Sequence, residues 1–226
     1  MSKRLKEARK PIDNKKLYSI NDAVAALKDF PAVKFDESVD LSIKLNLNPK
    51  EISQSIRGSV VLPHGTGKKI RVAVFCKGEY VSQAKEAGAD IVGSDDLIDK
   101  INAGFMDFDV AVATPDIMKD LARLGKVLGP RGLMPSPKAG TVTNDIAKTV
   151  KEVKAGKVEF KMDKLGCINM SVGKRSFSEK AIIENTNKLI SSILQAKPPQ
   201  VKGKFFSNVS ISTTMGPGIK LNTDNL

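Results

Sequence analysis

The sequence predicts an α+β domain split between the two chain ends, with a Rossmann-like three-layer α/β domain inserted into it. Three observations predict this. Near both ends, apolar and polar residues alternate with period two, the mark of strands with one buried face. In the middle, short unbroken apolar runs alternate with helical stretches, the pattern of a parallel sheet covered on both sides. The pattern changes at Pro63-His64-Gly65-Thr66-Gly67 and at Gly156, where glycine and proline let the chain turn sharply. The expected domains are residues 1–67 with 157–226, and residues 68–156, with Gly65, Gly67 and Gly156 as hinge points.

Taken in order, Ser19 opens a helix with Asp22 three residues on as its capping partner, and Pro31 closes it. Leu41, Ile43, Leu45 and Leu47 then alternate with Ser42, Lys44 and Asn46 as a half-buried strand. In the middle, residues 70–75 and 110–113 read as strands buried on both faces, and residues 79–87, 95–102, 116–124 and 144–155 as helices. Val158, Phe160 and Met162 lead to a turn at Lys164-Leu165-Gly166, and Ile168, Met170 and Val172 come back, which reads as a hairpin. A helix from about Ser178 presents Ile182, Ile183, Thr186, Leu189, Ile190, Ile193 and Leu194 on one face and stops before Pro198-Pro199. A last strand runs from Phe205 through Val209 and Ile211.

At 226 residues, 41% hydrophobic and 27% charged, the chain is long enough for two moderate cores. No apolar run approaches the roughly 20 residues of a membrane span, and no secretory signal follows the basic N-terminus, so a cytoplasmic location is expected. Cys76 and Cys167 stand far apart without Cys-x-x-Cys spacing and read as reduced, packed thiols. The net charge of +12, from 37 basic and 25 acidic side chains, favours a polyanionic partner. Residues 1–66 carry 12 basic and 8 acidic groups, and residues 159–226 carry 10 and 5, so the ends together hold +9 of the +12. If the ends form one body, that body is the electrostatic face.

The motifs speak against catalysis. Gly65-Thr66-Gly67-Lys68-Lys69 departs from a phosphate-binding loop, because Lys69 replaces the Ser or Thr and a strand follows instead of a helix. No G-x-G-x-x-G follows the 70–75 strand, so the dinucleotide signature is missing. His64 is the single histidine, with neither a second ligand of metal spacing nor a Gly-x-Ser-x-Gly elbow. No catalytic residue, metal or cofactor is expected.

Two kinds of segment remain. Residues 126–142 pack three glycines and three prolines beside Lys126, Arg131 and Lys138 with no acid, which fits either a phosphate-holding loop or a rigid connection. Residues 33–38 lead into the first strand, and Ser212-Thr213-Thr214-Met215-Gly216-Pro217 ends the last. Small hydroxyl residues beside a glycine allow close backbone approach and offer donors to 2′-hydroxyls, which suits the wide minor groove of A-form RNA. Lys34 and Lys204 are candidates for phosphates and Phe35 for a sugar or base. With aromatic residues at 5%, recognition of folded RNA by shape is favoured over a stacking platform.

Five markers in order, spread over nearly the whole chain, resemble the family of the bacterial large-subunit ribosomal protein L-one. They are Lys34-Phe35-Asp36-Glu37, Arg57-Gly58 with Leu62-Pro63-His64-Gly65, Glu86-Ala87-Gly88-Ala89-Asp90, the loop from Leu128 to Thr141, and Thr213-Thr214-Met215-Gly216-Pro217. The resemblance implies the split two-domain layout and a place on the mobile stalk of the large ribosomal subunit. It implies binding to large-subunit ribosomal RNA, contact with exit-site tRNA, and repression of the protein's own operon messenger RNA, by a monomer when off the ribosome. Carried over, the RNA surface would include Lys34, Phe35, Ser38, Thr214, Met215 and Gly216, with Thr213 and Lys204 beside them. Arg131 and Lys138 would add secondary contacts.

Overall fold

The computed structural model describes residues 3–13, 16–47, 56–78, 80–198, 201 and 203–223. In chain order the elements are α1 (Lys3–Arg9), α2 (Ile20–Lys28), β1 (Ser38–Leu45), β2 (Arg57–Val61), β3 (Val72–Phe75), α3 (Tyr80–Glu86), β4 (Ile91–Gly93), α4 (Asp95–Asn102) and β5 (Val110–Ala113). Then come α5 (Met118–Leu121), α6 (Gly125–Leu128), α7 (Ile146–Ala155), β6 (Lys157–Lys161), β7 (Cys167–Lys174), α8 (Glu179–Gln195), β8 (Phe206–Thr213) and β9 (Ile219–Lys220). The chain is a mixed α/β protein that divides into two compact units, Met1–Gly67 with Glu159–Leu226, and Lys68–Val158.

The first unit is built on a sheet of order β7-β1-β8-β9. β1 is its spine, antiparallel to β7 on one side and β8 on the other. Its period-two pattern buries Val39, Leu41, Ile43 and Leu45 on one face. α2 and α8 pack on the sheet and against each other. Ser19 caps α2 through the backbone N–H of Asp22, as its spacing predicts, and Ser178 caps α8 through that of Ala181. α8 buries Ile182, Thr186, Leu189, Ile190 and Ile193, each large apolar side chain contributing about 1.5–3 kcal/mol of transfer free energy. β2 and β6 form a separate two-stranded sheet, tied by an Arg57–Glu159 ion pair at 2.7 Å.

The second unit carries a parallel sheet of order β4-β3-β5. All four residues of β3 are buried, and their alternation explains the unbroken apolar run. Ala73 and Phe75 face a core with Leu97, Ile98, Ile101, Leu121 and Leu124, from α4, α5 and the turn after it. Val72, Val74 and Cys76 face the opposite core with Ala84, Ile146, Val150 and Val153, from α3 and α7.

Several local expectations are corrected. The segments around Phe160 and Ile168 do not form a hairpin, because β6 pairs with β2 while β7 pairs with β1. The chain swings from one sheet to the other at Asp163, whose carboxylate accepts the backbone N–H groups of Leu165 (2.8 Å) and Cys167 (2.7 Å). β4 and β9 were not expected, since three and two residues are too few to show a period. Residues 115–128 are a chain of short helical turns instead of one helix, although Ile117, Leu121, Leu124 and Leu128 keep helical spacing and are all buried.

Candidate nucleic-acid interface

Antiparallel register makes the site. Ser38 pairs with Lys174 and Val39 with Thr213, so the entry to β1 lies beside the exits of β7 and β8. Residues 33–38, 174–177 and 213–217 therefore converge at one end of the sheet, although they are far apart in sequence.

A buried carboxylate fixes their arrangement. Glu37 is 1% exposed; one oxygen accepts the backbone N–H of Met215 at 2.9 Å and the other takes Arg175 Nη1 at 3.0 Å. The Arg175 guanidinium also donates to the carbonyls of Lys28 (3.0 Å), Phe30 and Pro31 (3.4 Å), and its backbone N–H to the carbonyl of Glu37 at 2.8 Å. Asp36 accepts the backbone N–H and hydroxyl of Ser176, and Lys174 Nζ donates to Ser38 Oγ and to the carbonyl of Asp36. Thr214 clips its turn to Ser38: its backbone N–H donates to the Ser38 carbonyl, and its hydroxyl accepts the Ser38 N–H, both at 3.0 Å. These bonds pre-order a turn that would otherwise have to be ordered on binding.

Of the expected contact residues, Lys34, Phe35, Ser38, Thr214, Met215 and Gly216 come together here. Phe35 is 54% and Met215 49% exposed, large apolar groups left facing solvent at one place. Gly216 is a close-approach position: a Cβ there would lie 2.3 Å from Thr213 Oγ1 and 3.0 Å from Phe30.

Two of the expected residues lie elsewhere. Thr213 is 2% exposed, because it shares the inward face of β8 with Val209 and Ile211, so it lines the underside of the turn. Lys204 precedes the other end of β8, and eight strand residues at about 3.3 Å each put it roughly 25 Å away.

One contributor was missed. Arg4, in α1, donates Nη2 to the carbonyl of Met215 at 2.7 Å, which brings the basic N-terminus to the site. Nothing in the spacing of residues 1–12 ties them to residue 215. Glu37 left a clearer trace: it is in phase with Val39, Leu41, Ile43 and Leu45, an acid on the buried side of a strand.

The hinge candidates all have positive φ: 63° at Gly65, 71° at Gly67 and 108° at Gly156. Gly156 closes α7 as its left-handed C-cap. Gly65 is held to α8 by buried Asn185, which accepts the backbone N–H of His64 and donates to the carbonyls of Gly65 and Val172. Arg131 is exposed, and the side chain of Lys138 lies outside the described residues. Their segment is stapled down: Leu128 and Ala139 are buried, and the backbone of Ala113 at the end of β5 bonds to Thr141 and Thr143. Those contacts hold residues 126–142 in place and leave Arg131 outward.

Among the described residues no group of His, Cys, Asp or Glu could hold a metal ion, and no helix is long and apolar enough to cross a membrane. Burial pushes the Cys76 thiol up, away from the reactive thiolate.

The family model for the ribosomal protein L1p/L10e family matches residues 27–217. The large ribosomal subunit protein uL1 of Chlamydia pneumoniae is 52% identical over 224 residues, 99% of this chain and 97% of the relative. Its counterpart in Protochlamydia amoebophila is 52% identical over 220 residues, 97% of this chain and 93% of the relative. That of Kosmotoga olearia is 53% identical over 220 residues, covering 97% and 95%.

Proposed function

Because the chain belongs to the ribosomal protein L1p/L10e family, we propose that it is a non-enzymatic constituent of the large ribosomal subunit that binds ribosomal RNA of the mobile stalk. The contact surface is the cluster of Lys34, Phe35, Ser38, Thr214, Met215 and Gly216. The observation that carries this reading is the Met215–Gly216 turn, held from below by Glu37 and Arg175 with apolar side chains left outward. A rigid turn, packed down closely because Gly216 has no Cβ to meet Thr213 and Phe30, can enter the shallow minor groove of A-form RNA, where backbone groups meet 2′-hydroxyls. Phe35 and Met215 then pack on sugars or bases, and Lys34 takes a phosphate.

In this reading residues 1–67 and 157–226 are the RNA-binding domain and residues 68–156 an inserted domain. Motion at Gly65, Gly67 and Gly156 sets their spacing, and Arg131, Lys138 and Lys204 take further phosphates. The same surface contacts exit-site tRNA and represses translation of the protein's own operon messenger RNA. The protein is cytoplasmic, works without a cofactor and is monomeric off the ribosome.

The test is titration of the full chain against a stalk-region fragment of large-subunit ribosomal RNA and a scrambled duplex of equal length. Preference for the stalk fragment is expected, with Lys34→Ala flattening the salt dependence by about one phosphate contact. Equal affinity for both RNAs would overturn the reading.

A further inference from the structure

We infer that α1 is a phosphate-gripping arm of the same interface, reaching the RNA backbone beside the groove that the Met215 turn enters. The inference rests on the RNA-binding reading above and assigns a new element to it. Residues 1–10 hold five basic side chains and one acid, a balance of +4 within ten residues. Lys3 and Lys6 stand at i and i+3 on one side of α1, with Glu7 beside them, and Lys10 follows in the turn after Arg9; Lys3, Lys6, Arg9 and Lys10 are all exposed. Among the described residues no ion pair holds any of these four.

The other side of α1 anchors it. Ala8 is 2% exposed, Arg4 and Leu5 are half-buried, and Arg4 donates to the Met215 carbonyl at 2.7 Å. The helix is thus fixed against the tip of the proposed contact surface, with its cations turned outward. Its apolar residues are the ones turned in, so no greasy face remains for a lipid surface, and a membrane is the poorer partner. A duplex seated on Phe35 and Met215 brings its phosphates within a Debye length, about 8–10 Å, of a helix that touches the same turn. Lys and Arg at that range release counterions, which predicts a contribution to affinity that depends on salt and is indifferent to sequence.

The experiment compares full-length protein with the quadruple variant K3Q/K6Q/R9Q/K10Q, and separately with Arg4→Gln. Each is titrated against the stalk-region RNA fragment and the scrambled duplex across a salt series. All four substitutions of the quadruple variant are at exposed positions, and matching melting temperatures confirm that the fold is kept. The expected result is a log–log salt slope shallower by about two to three, from a loss of roughly 0.7–0.9 per phosphate contact. Affinity should fall about ten- to a hundredfold at low salt, while preference for the stalk fragment over the scrambled duplex stays unchanged. Arg4→Gln should lower affinity for both RNAs as the arm detaches. An unchanged slope overturns the arm, even if affinity falls, because α1 would then only brace the turn. Failure of the wild-type chain to bind the stalk fragment overturns the underlying RNA reading instead.

Discussion

Glu37 and Met215, 178 residues apart in sequence, are joined by one hydrogen bond of 2.9 Å from an exposed turn to a buried carboxylate. Arg175 lies 3.0 Å from its other oxygen and supplies the opposite charge in the interior. Position of the turn and neutrality of the core are therefore one arrangement, and a change to either partner disturbs both.

Glu37→Gln keeps the shape and an acceptor for Met215 but removes the charge opposite Arg175. Breaking a buried pair from one side costs about 3–5 kcal/mol. Arg175 is 17% exposed and keeps its backbone carbonyl partners, so a loss of about 2–4 kcal/mol in unfolding free energy is expected. Urea denaturation measures it, and a wild-type midpoint would show that the pair does not hold the turn.

Thr214 and Met215 are neighbours with different duties, and their alanine variants should separate them. Thr214→Ala removes the hydroxyl that accepts the Ser38 N–H, so it lowers stability by about 1 kcal/mol and RNA affinity with it. Met215→Ala trims a half-exposed side chain, so it leaves the melting temperature nearly unchanged while weakening stalk-RNA binding by about 1–3 kcal/mol. Parallel calorimetry and filter binding decide the matter; equal stability losses in both variants would contradict the division.

Gly216→Ala tests whether the turn tolerates a methyl group. The added Cβ meets the Thr213 hydroxyl at 2.3 Å and the Phe30 ring at 3.0 Å, both from buried side chains. Overpacking of this kind costs about 1–3 kcal/mol. The variant should melt earlier than Met215→Ala and bind RNA more weakly than wild type; a wild-type melting curve would mean that the site can open.

Much of this was legible in residue order, and what was not has physical causes. The alternation from Leu41 to Leu47 gave β1, which starts earlier and ends sooner, at Ser38–Leu45; the same phase carried back through Val39 turns Glu37 inward, so an attentive reading of parity reaches the buried acid. Arg175 resists that reading. The β1–β7 register shifts between Val39 and Asp40, with Gly173 and Ser171 as their partners, and this bulge breaks the period-two count from Ile168 onward. A second shift between Lys44 and Leu45 puts Phe206 and Val209, of opposite parity, both in the interior. The apparent hairpin around Leu165 failed for a different reason: local alternation marks two strands but does not say which sheet each joins. Family markers drew attention to residues 34–37 and 213–217 together; only the pairing of β1 with β8 explains why they touch.

Asp90 offers a test in the second unit that is independent of RNA. Its carboxylate accepts the backbone N–H of Val72 at 2.9 Å, pinning the start of β3, and Lys154 approaches to 3.3 Å. The Val72 bond, then Lys154, hold its pKa below the ordinary carboxylate value, against an opposing push from burial. A group lowered in this way favours the folded state above the unfolded-chain pKa of about 3.9, and that contribution is lost as pH falls through the lower folded value. Because the side chain is 41% exposed, solvent screening limits the effect to a fraction of about 1 kcal/mol. Asp90→Asn should therefore be less stable than wild type near pH 7, with the gap closing as pH drops from 5 toward 3. Urea midpoints measured along that series check the sign, and a gap that widens in acid would refute it.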